Sequence, residues 1–219
     1  MLLGVHCSVS GGLEKAFEEA KQLHIDTFQI FTRNQRQWKS KPISDKEGQV
    51  FKSAFESSKV NTAFSHASYL INLASDDNEL LLKSIDAMVA ELERCHALGL
   101  AYAVVHPGAA KNLDQNVALE KVATTINTII EATPGNNVKI LIENTAGQGT
   151  TLGYDFEHIA KIIDNVKSER LAACFDTCHG YAAGYDISNQ KGFEDTFTKW
   201  DKTIGLSKLK AIHLNDSKT

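Results

Sequence analysis

Short apolar runs alternate with stretches of helical spacing along the whole chain, and that order restricts the fold more than any other feature. Strands are predicted at 2–9, 27–32, 61–65, 101–105, 138–142, 171–175 and 209–214. Helices are predicted at 13–23, from Ser44 onward, and at 76–98, 114–132, 154–166 and 193–204. Ser44 and Glu47 have the spacing of a capping box, and Gly99 and Pro134-Gly135 read as helix stops. Strict strand-helix alternation implies a parallel sheet with right-handed crossovers.

Two closures remain, an open doubly wound sheet or a (β/α)8 barrel. Open sheets gather their ligands at one switch point between neighbouring strand ends. Here nearly every strand runs into a polar group: His66, His106, Glu143, Asp176 and His213, with His179 three residues beyond Asp176. A ring of that kind belongs to the C-terminal face of a barrel. One strand-end histidine is ordinarily a hydrogen-bonded core residue. Several of them together with two carboxylates make a metal site the expected outcome. Nitrogen and oxygen donors without thiolates suit zinc, manganese or iron, and the number of imidazoles favours zinc. His24, His96 and His158 fall in helical stretches and read as surface or helix-end residues. His6 lies within the first strand and reads as a supporting residue.

The remaining features bound the setting. The 219 residues suffice for one large α/β domain, and no apolar run approaches membrane-spanning length. Met1-Leu-Leu-Gly-Val-His6 lacks the basic start of a signal peptide. The four cysteines lack a disulfide framework, so reduced thiols and a cytoplasmic protein are expected. Cys174 reads as a packed strand residue and Cys178 as a loop residue. A net charge of −4 argues against a broad nucleic-acid surface but leaves room for a local basic patch. Residues 33–41 form such a patch. Arg33, Arg36, Lys39 and Lys41 alternate there with Asn34, Gln35, Gln37 and Trp38. The loop reads equally well as a solvated rim or as a hand for phosphates and a base stack. Tyr69 lies three residues past His66 and is a nearby aromatic.

Several segments closely resemble endonuclease IV, the zinc-dependent apurinic/apyrimidinic endonuclease family of base excision repair. They are Phe31-Thr-Arg-Asn-Gln-Arg-Gln-Trp38, His66-Ala-Ser-Tyr-Leu-Ile-Asn-Leu73, His106-Pro-Gly108, Leu141-Ile-Glu-Asn-Thr-Ala-Gly-Gln-Gly149, Phe175-Asp-Thr-Cys-His179, Ala182-Ala-Gly-Tyr-Asp186 and His213-Leu-Asn-Asp-Ser-Lys218. The resemblance implies a TIM barrel and three zincs. His66 and His106 would hold one. Glu143, the catalytic carboxylate, would bridge it to a second held also by Asp176 and His213. His179 would serve the third. Arg36, Gln37 and Tyr69 would enter double-stranded DNA at an abasic site, with Arg33 and Lys39 on its phosphates. The implied reaction cuts the phosphodiester 5′ to the lesion and leaves a 3′-hydroxyl and a 5′-deoxyribose phosphate. The implied assembly is a monomer when complete.

Two departures accompany the resemblance. Ala67 follows His66 where the family often carries Asp. The family also continues past the Asn215-Asp216 step into further ligands and a last strand. Residues 1–219 are therefore expected to form one TIM-barrel domain with seven of eight strands, a gap between the last strand and the first, and up to two zinc ions. That count leaves the activity of these residues by themselves open. The runner-up readings are a metal-dependent sugar isomerase or epimerase on the related barrel, and a fragment that binds without cutting.

Overall fold

Alternation along each strand sorts the side chains into an outer core and an inner site. The computed structural model describes residues 1–217. Its elements run β1 (Gly4–His6), α1 (Lys15–Leu23), β2 (Thr27–Ile30), α2 (Asp45–Ser57), β3 (Thr62–His66), α3 (Asn78–Leu98), β4 (Tyr102–Val105), α4 (Gln115–Glu131), β5 (Lys139–Glu143), α5 (Phe156–Val166), β6 (Leu171–Asp176), α6 (Thr177–Ala182), α7 (Gln190–Thr203) and β7 (Leu209–His213). Each strand pairs in parallel with its sequence neighbours, in the order β1-β2-β3-β4-β5-β6-β7. The sheet curls until His213 of β7 reaches Gln29 of β2, their side chains 2.7 Å apart. Among the described residues β1 and β7 form no ladder with each other, so the TIM-barrel wall is open where the sequence predicted a gap. Leu3 and Val5 on one edge and Ile212 and Leu214 on the other are exposed. Lys218, which ends the last matching segment, lies outside the described residues.

Successive strand residues point to opposite faces. Ala63, Ala103, Val105, Ile140, Ile142, Ala173 and Phe175 join the buried core with Met88, Leu92, Ile126, Ile159 and Trp200 of the helices. Val104, Leu141, Ala172 and Cys174 form the other apolar cluster, with Phe64, Tyr102 and Ala211 packed against it. Two residues on from Phe64, Val104, Leu141, Cys174 and Ala211 come His66, His106, Glu143, Asp176 and His213. The period of two therefore stacks the polar ring directly above an apolar plug.

The helix ends follow the predicted chemistry. Ser44 and Glu47 close a capping box, with Glu47 N donating to Ser44 Oγ at 3.3 Å and Ser44 N to Glu47 Oε2 at 2.8 Å. Gly99 terminates α3 in the left-handed region at φ 76°.

Three expectations change. Residues 177–182 form α6 instead of a loop, so Cys178 is helical. The last predicted helix starts earlier, at Gln190, because Asn189 Oδ1 accepts from Gly192 N at 3.0 Å and caps it. His158, expected at the surface, is buried in α5; its Nδ1 accepts from Gly153 N at 3.2 Å and its Nε2 meets the Gln115 amide. No helix is long and apolar enough to cross a membrane.

Candidate metal centre and its rim

Glu143, at the end of β5, sits at the middle of the ring and is almost wholly buried. Four imidazoles surround it. His66 Nε2 and His106 Nε2 approach its Oε2 at 3.1 and 3.3 Å. His213 Nδ1 and His179 Nδ1 approach its Oε1 at 3.1 and 3.3 Å. Asp176 adds a second carboxylate, its Oδ2 3.8 Å from His213 Nδ1. Burial works to raise the pKa of Glu143, and the close imidazoles of His106, His179, His213 and His66 outweigh it. The carboxyl is held well below its ordinary range. The Glu143 carboxylate raises the pKa of His179 beside it. For His213 burial pulls the other way, and Glu143 with Asp176 overcomes it, so that pKa is raised too.

The tautomers follow from the outer contacts. His66 Nδ1 donates to the Ala67 carbonyl at 2.7 Å, so its Nε2 lone pair faces Glu143 when the ring is neutral. Ala67 thus supports His66 through its backbone oxygen. His213 Nε2 donates to Gln29 Oε1 at 2.7 Å, and Gln29 Nε2 donates in turn to His6 Nδ1 at 3.0 Å. The His213 Nδ1 lone pair therefore also faces Glu143. His6 thus supports the ring from outside it. His106 Nε2 is buried without a hydrogen-bond partner among the described residues. At such distances either a ring proton or a metal ion closes the contact between imidazole and carboxylate.

Two groups of donors fit a metal ion. His66, His106 and Glu143 form the first, and Glu143, Asp176 and His213 the second; within each, the ligand atoms lie within 4.8 Å of one another. Ligands about 2.1 Å from a tetrahedral zinc stand about 3.4 Å apart, close to the spacings around Glu143. The donor set is imidazole and carboxylate throughout, and Glu143 belongs to both groups. His179 joins neither group. Its Nδ1 donates to the Asn144 carbonyl at 2.9 Å, which leaves Nε2 for any further ligand.

Sequence reading left two supporting residues without a role. Asn144 accepts from Asp176 N at 2.6 Å and donates to Asp176 O at 3.0 Å. Asn215 Nδ2 donates to Asp176 Oδ2 at 2.6 Å. Asp176 Oδ1 meanwhile accepts from His179 N at 2.8 Å and caps α6. Both asparagines directly follow or nearly follow a ligand-bearing strand end, and that position was the available signal.

The rim comes from the loops after β2 and β3. Arg36, Gln37, Lys39 and Lys41 are exposed. Tyr69 is 61% exposed and stands over His66 and His106, with ring centroids 5.0 and 5.8 Å away. Ser68 Oγ donates to the Gln35 carbonyl at 2.6 Å and ties the two loops together. Arg33 departs from the expectation of a phosphate contact. Its side chain is 4% exposed and turns inward, with Nε 3.5 Å from Glu91 Oε2.

Known proteins share this arrangement of chain. The family profile described as a xylose isomerase-like TIM barrel matches residues 17–219. The chain is 45% identical over 215 residues to the "Probable endonuclease 4" of Chloroflexus aurantiacus, spanning 98% of this chain and 75% of that one. It is likewise 45% identical over 223 residues to the protein of that name from Buchnera aphidicola, spanning 99% and 78%. The crystal structure of endonuclease IV from Thermus thermophilus superposes with a TM-score of 0.88 at 34% identity, over 100% of this chain and 78% of that one. A D-tagatose 3-epimerase-like protein, at 21% identity and a TM-score of 0.75 over 99% and 76%, shares the fold alone. The chain belongs to the endonuclease IV family.

Proposed function

We propose that this protein is a zinc-dependent endonuclease of base excision repair that cleaves the phosphodiester 5′ to an abasic site in double-stranded DNA. The products are a 3′-hydroxyl and a 5′-deoxyribose phosphate. One observation carries the reading: three imidazoles and two carboxylates from successive strand ends, with His179 of α6, converge beneath a rim that exposes Arg36, Gln37, Lys39 and Tyr69. The relatives named endonuclease 4 support the same assignment.

In this reading His66, His106 and Glu143 hold one zinc, and Glu143, Asp176 and His213 hold a second; manganese suits the same donors. His179 is left for a third. When bound, the metal supplies Lewis acidity, which acidifies water and offsets charge on a phosphate. The other tasks fall to the chain. Glu143 stays ionised and supplies the negative charge that both groups share. Asn144 and Asn215 keep Asp176 turned inward. The Ala67 carbonyl and Gln29 hold His66 and His213 in the tautomers that aim a lone pair at the centre. Arg36, Gln37 and Tyr69 enter at the gap that the missing base leaves, and the charges of Arg36 and Lys39 make binding to the phosphate backbone salt-dependent. The absent base pair lowers the cost of turning the sugar out of the helix, and selectivity for the lesion follows from that. Reduced thiols and a cytoplasmic setting belong to the same reading.

A sugar epimerase on the same barrel is the competing assignment. The discriminating experiment sets incision of an abasic duplex beside turnover of keto-sugars by the zinc-loaded protein. Incision 5′ to the lesion with a free 3′-hydroxyl supports the reading, and keto-sugar turnover without incision overturns it.

A further inference from the structure

We infer that a buried network of Thr32, Glu91 and Arg94 positions the lesion-reading loop 33–41. The inference rests on the functional reading above and adds residues that belong to neither donor group. Glu91 is completely buried on α3. Thr32 Oγ1 donates to the Glu91 carboxylate at 2.9 and 3.0 Å and accepts from Arg94 Nε at 3.1 Å. The two terminal nitrogens of Arg94 donate to the carbonyls of Thr32 and Lys41. Arg33, beside Glu91, donates from Nη1 to the Trp38 carbonyl at 3.0 Å.

These contacts grip the loop at its start, its middle and its end. The loop has no ladder of its own among the described residues; Gln37 N meets the Asn34 carbonyl at 3.3 Å, while the carbonyls of Trp38 and Lys41 take side-chain donors. Two guanidiniums supply those donors, and Glu91 supplies the charge that lets them be buried together. Removing one member would leave the others as uncompensated buried charge. Beyond the grip, Ser68 Oγ holds the Gln35 carbonyl at 2.6 Å, one residue from Arg36 and one from Tyr69. The network therefore sets the position of Arg36 and Gln37 relative to Tyr69, the groups proposed to enter the lesion. A helix that served only to pack would bury apolar groups here, as α3 does with Met88 and Leu92.

The test uses three conservative variants of the zinc-loaded protein: Thr32→Val, Arg94→Lys and Glu91→Gln. Thr32→Val is the mildest, because it keeps the shape and deletes only the bridging hydroxyl. Two readouts are taken. One is native trypsin cleavage after Arg36 or Lys39. The other is the ratio of affinities for abasic and intact duplex. Loss of a hydrogen bond to a charged group corresponds to about tenfold in a local equilibrium. Cleavage in the loop is therefore expected to rise about tenfold and the affinity ratio to fall by about as much, with the zinc content of Thr32→Val near wild type. Loop cleavage and selectivity unchanged in Thr32→Val would overturn the inference, as would cleavage that rises equally throughout the chain. If the wild-type protein shows no preference for the abasic duplex, the functional reading falls, while trypsin still reports whether the network holds the loop.

Discussion

The side-chain amide of Asn144 closes a two-way hydrogen bond with the backbone of Asp176, accepting from its N at 2.6 Å and donating to its O at 3.0 Å. The backbone oxygen of Asn144 then accepts from His179 Nδ1 at 2.9 Å. One residue thus fixes the depth of a carboxylate from β6 and the tautomer of a histidine from α6. Outer contacts of this kind are worth about 10–100-fold in metal affinity. Asn144→Ala is expected to weaken zinc binding at the Asp176 and His213 group by that order and to cost about 1–3 kcal/mol of stability. Zinc titration against a competing chelator and thermal melts check both.

Glu143 is the shared ligand, so its loss should be felt twice. Elemental analysis of zinc-replete protein is expected to find up to two ions per chain. His213→Ala should remove one of them, whereas Glu143→Ala should remove both. Equal loss from the two variants would show that the donor groups do not share a carboxylate.

Tyr69 should matter for recognition and little for folding. Its ring is mostly exposed, and surface substitutions of that kind usually change stability by less than about 0.5 kcal/mol. Tyr69→Ala is expected to lower affinity for an abasic duplex more than for an intact one, read by fluorescence anisotropy. Losses of equal size on both duplexes would assign Tyr69 to packing.

Asp155 gives a pH signature away from the metal centre. It caps α5 through Glu157 N at 3.3 Å and accepts from the Tyr185 hydroxyl at 3.1 Å, with Lys199 Nζ 3.8 Å away. Burial works to raise its pKa, and the Glu157 amide, Lys199 and Tyr185 outweigh it, so the folded value lies below the ordinary 3.8. A depressed carboxylate contributes stability that is complete above its unfolded pKa and disappears as pH falls through the folded one. The melting midpoint should therefore fall less steeply below that unfolded value in Asp155→Asn than in wild type. Identical acid limbs in the two proteins would contradict this.

Much of this was legible because the ligands obey the same period as the core. His66, Glu143 and Asp176 each sit two residues beyond an apolar position on the inner face, so an alternating run that ends in a polar residue announces both its strand and its site. Helix α6 escaped notice because six residues containing Thr177 and Gly180 carry no apolar periodicity. It exists because Asp176 caps it and because Gly180 lies so close to Phe175 that an added Cβ would come within 2.7 Å of that ring. Arg33 was misread for a different reason. A basic loop looks solvated when its partner, Glu91, lies 58 positions further along the chain (91 − 33) and only the fold brings the two together.

The central claim is that the strand-end cluster and the basic rim read one lesion together. The most direct measurement is equilibrium binding of a duplex carrying a single stable abasic analogue, by zinc-loaded and by chelator-stripped protein, at one fixed salt concentration. The zinc-loaded protein should prefer the lesion duplex over the intact one by about tenfold or more, a difference of about 1.4 kcal/mol. Stripping should abolish that preference and leave only the salt-sensitive binding that Arg36 and Lys39 provide. The same preference with and without zinc, or none in either state, would contradict the account.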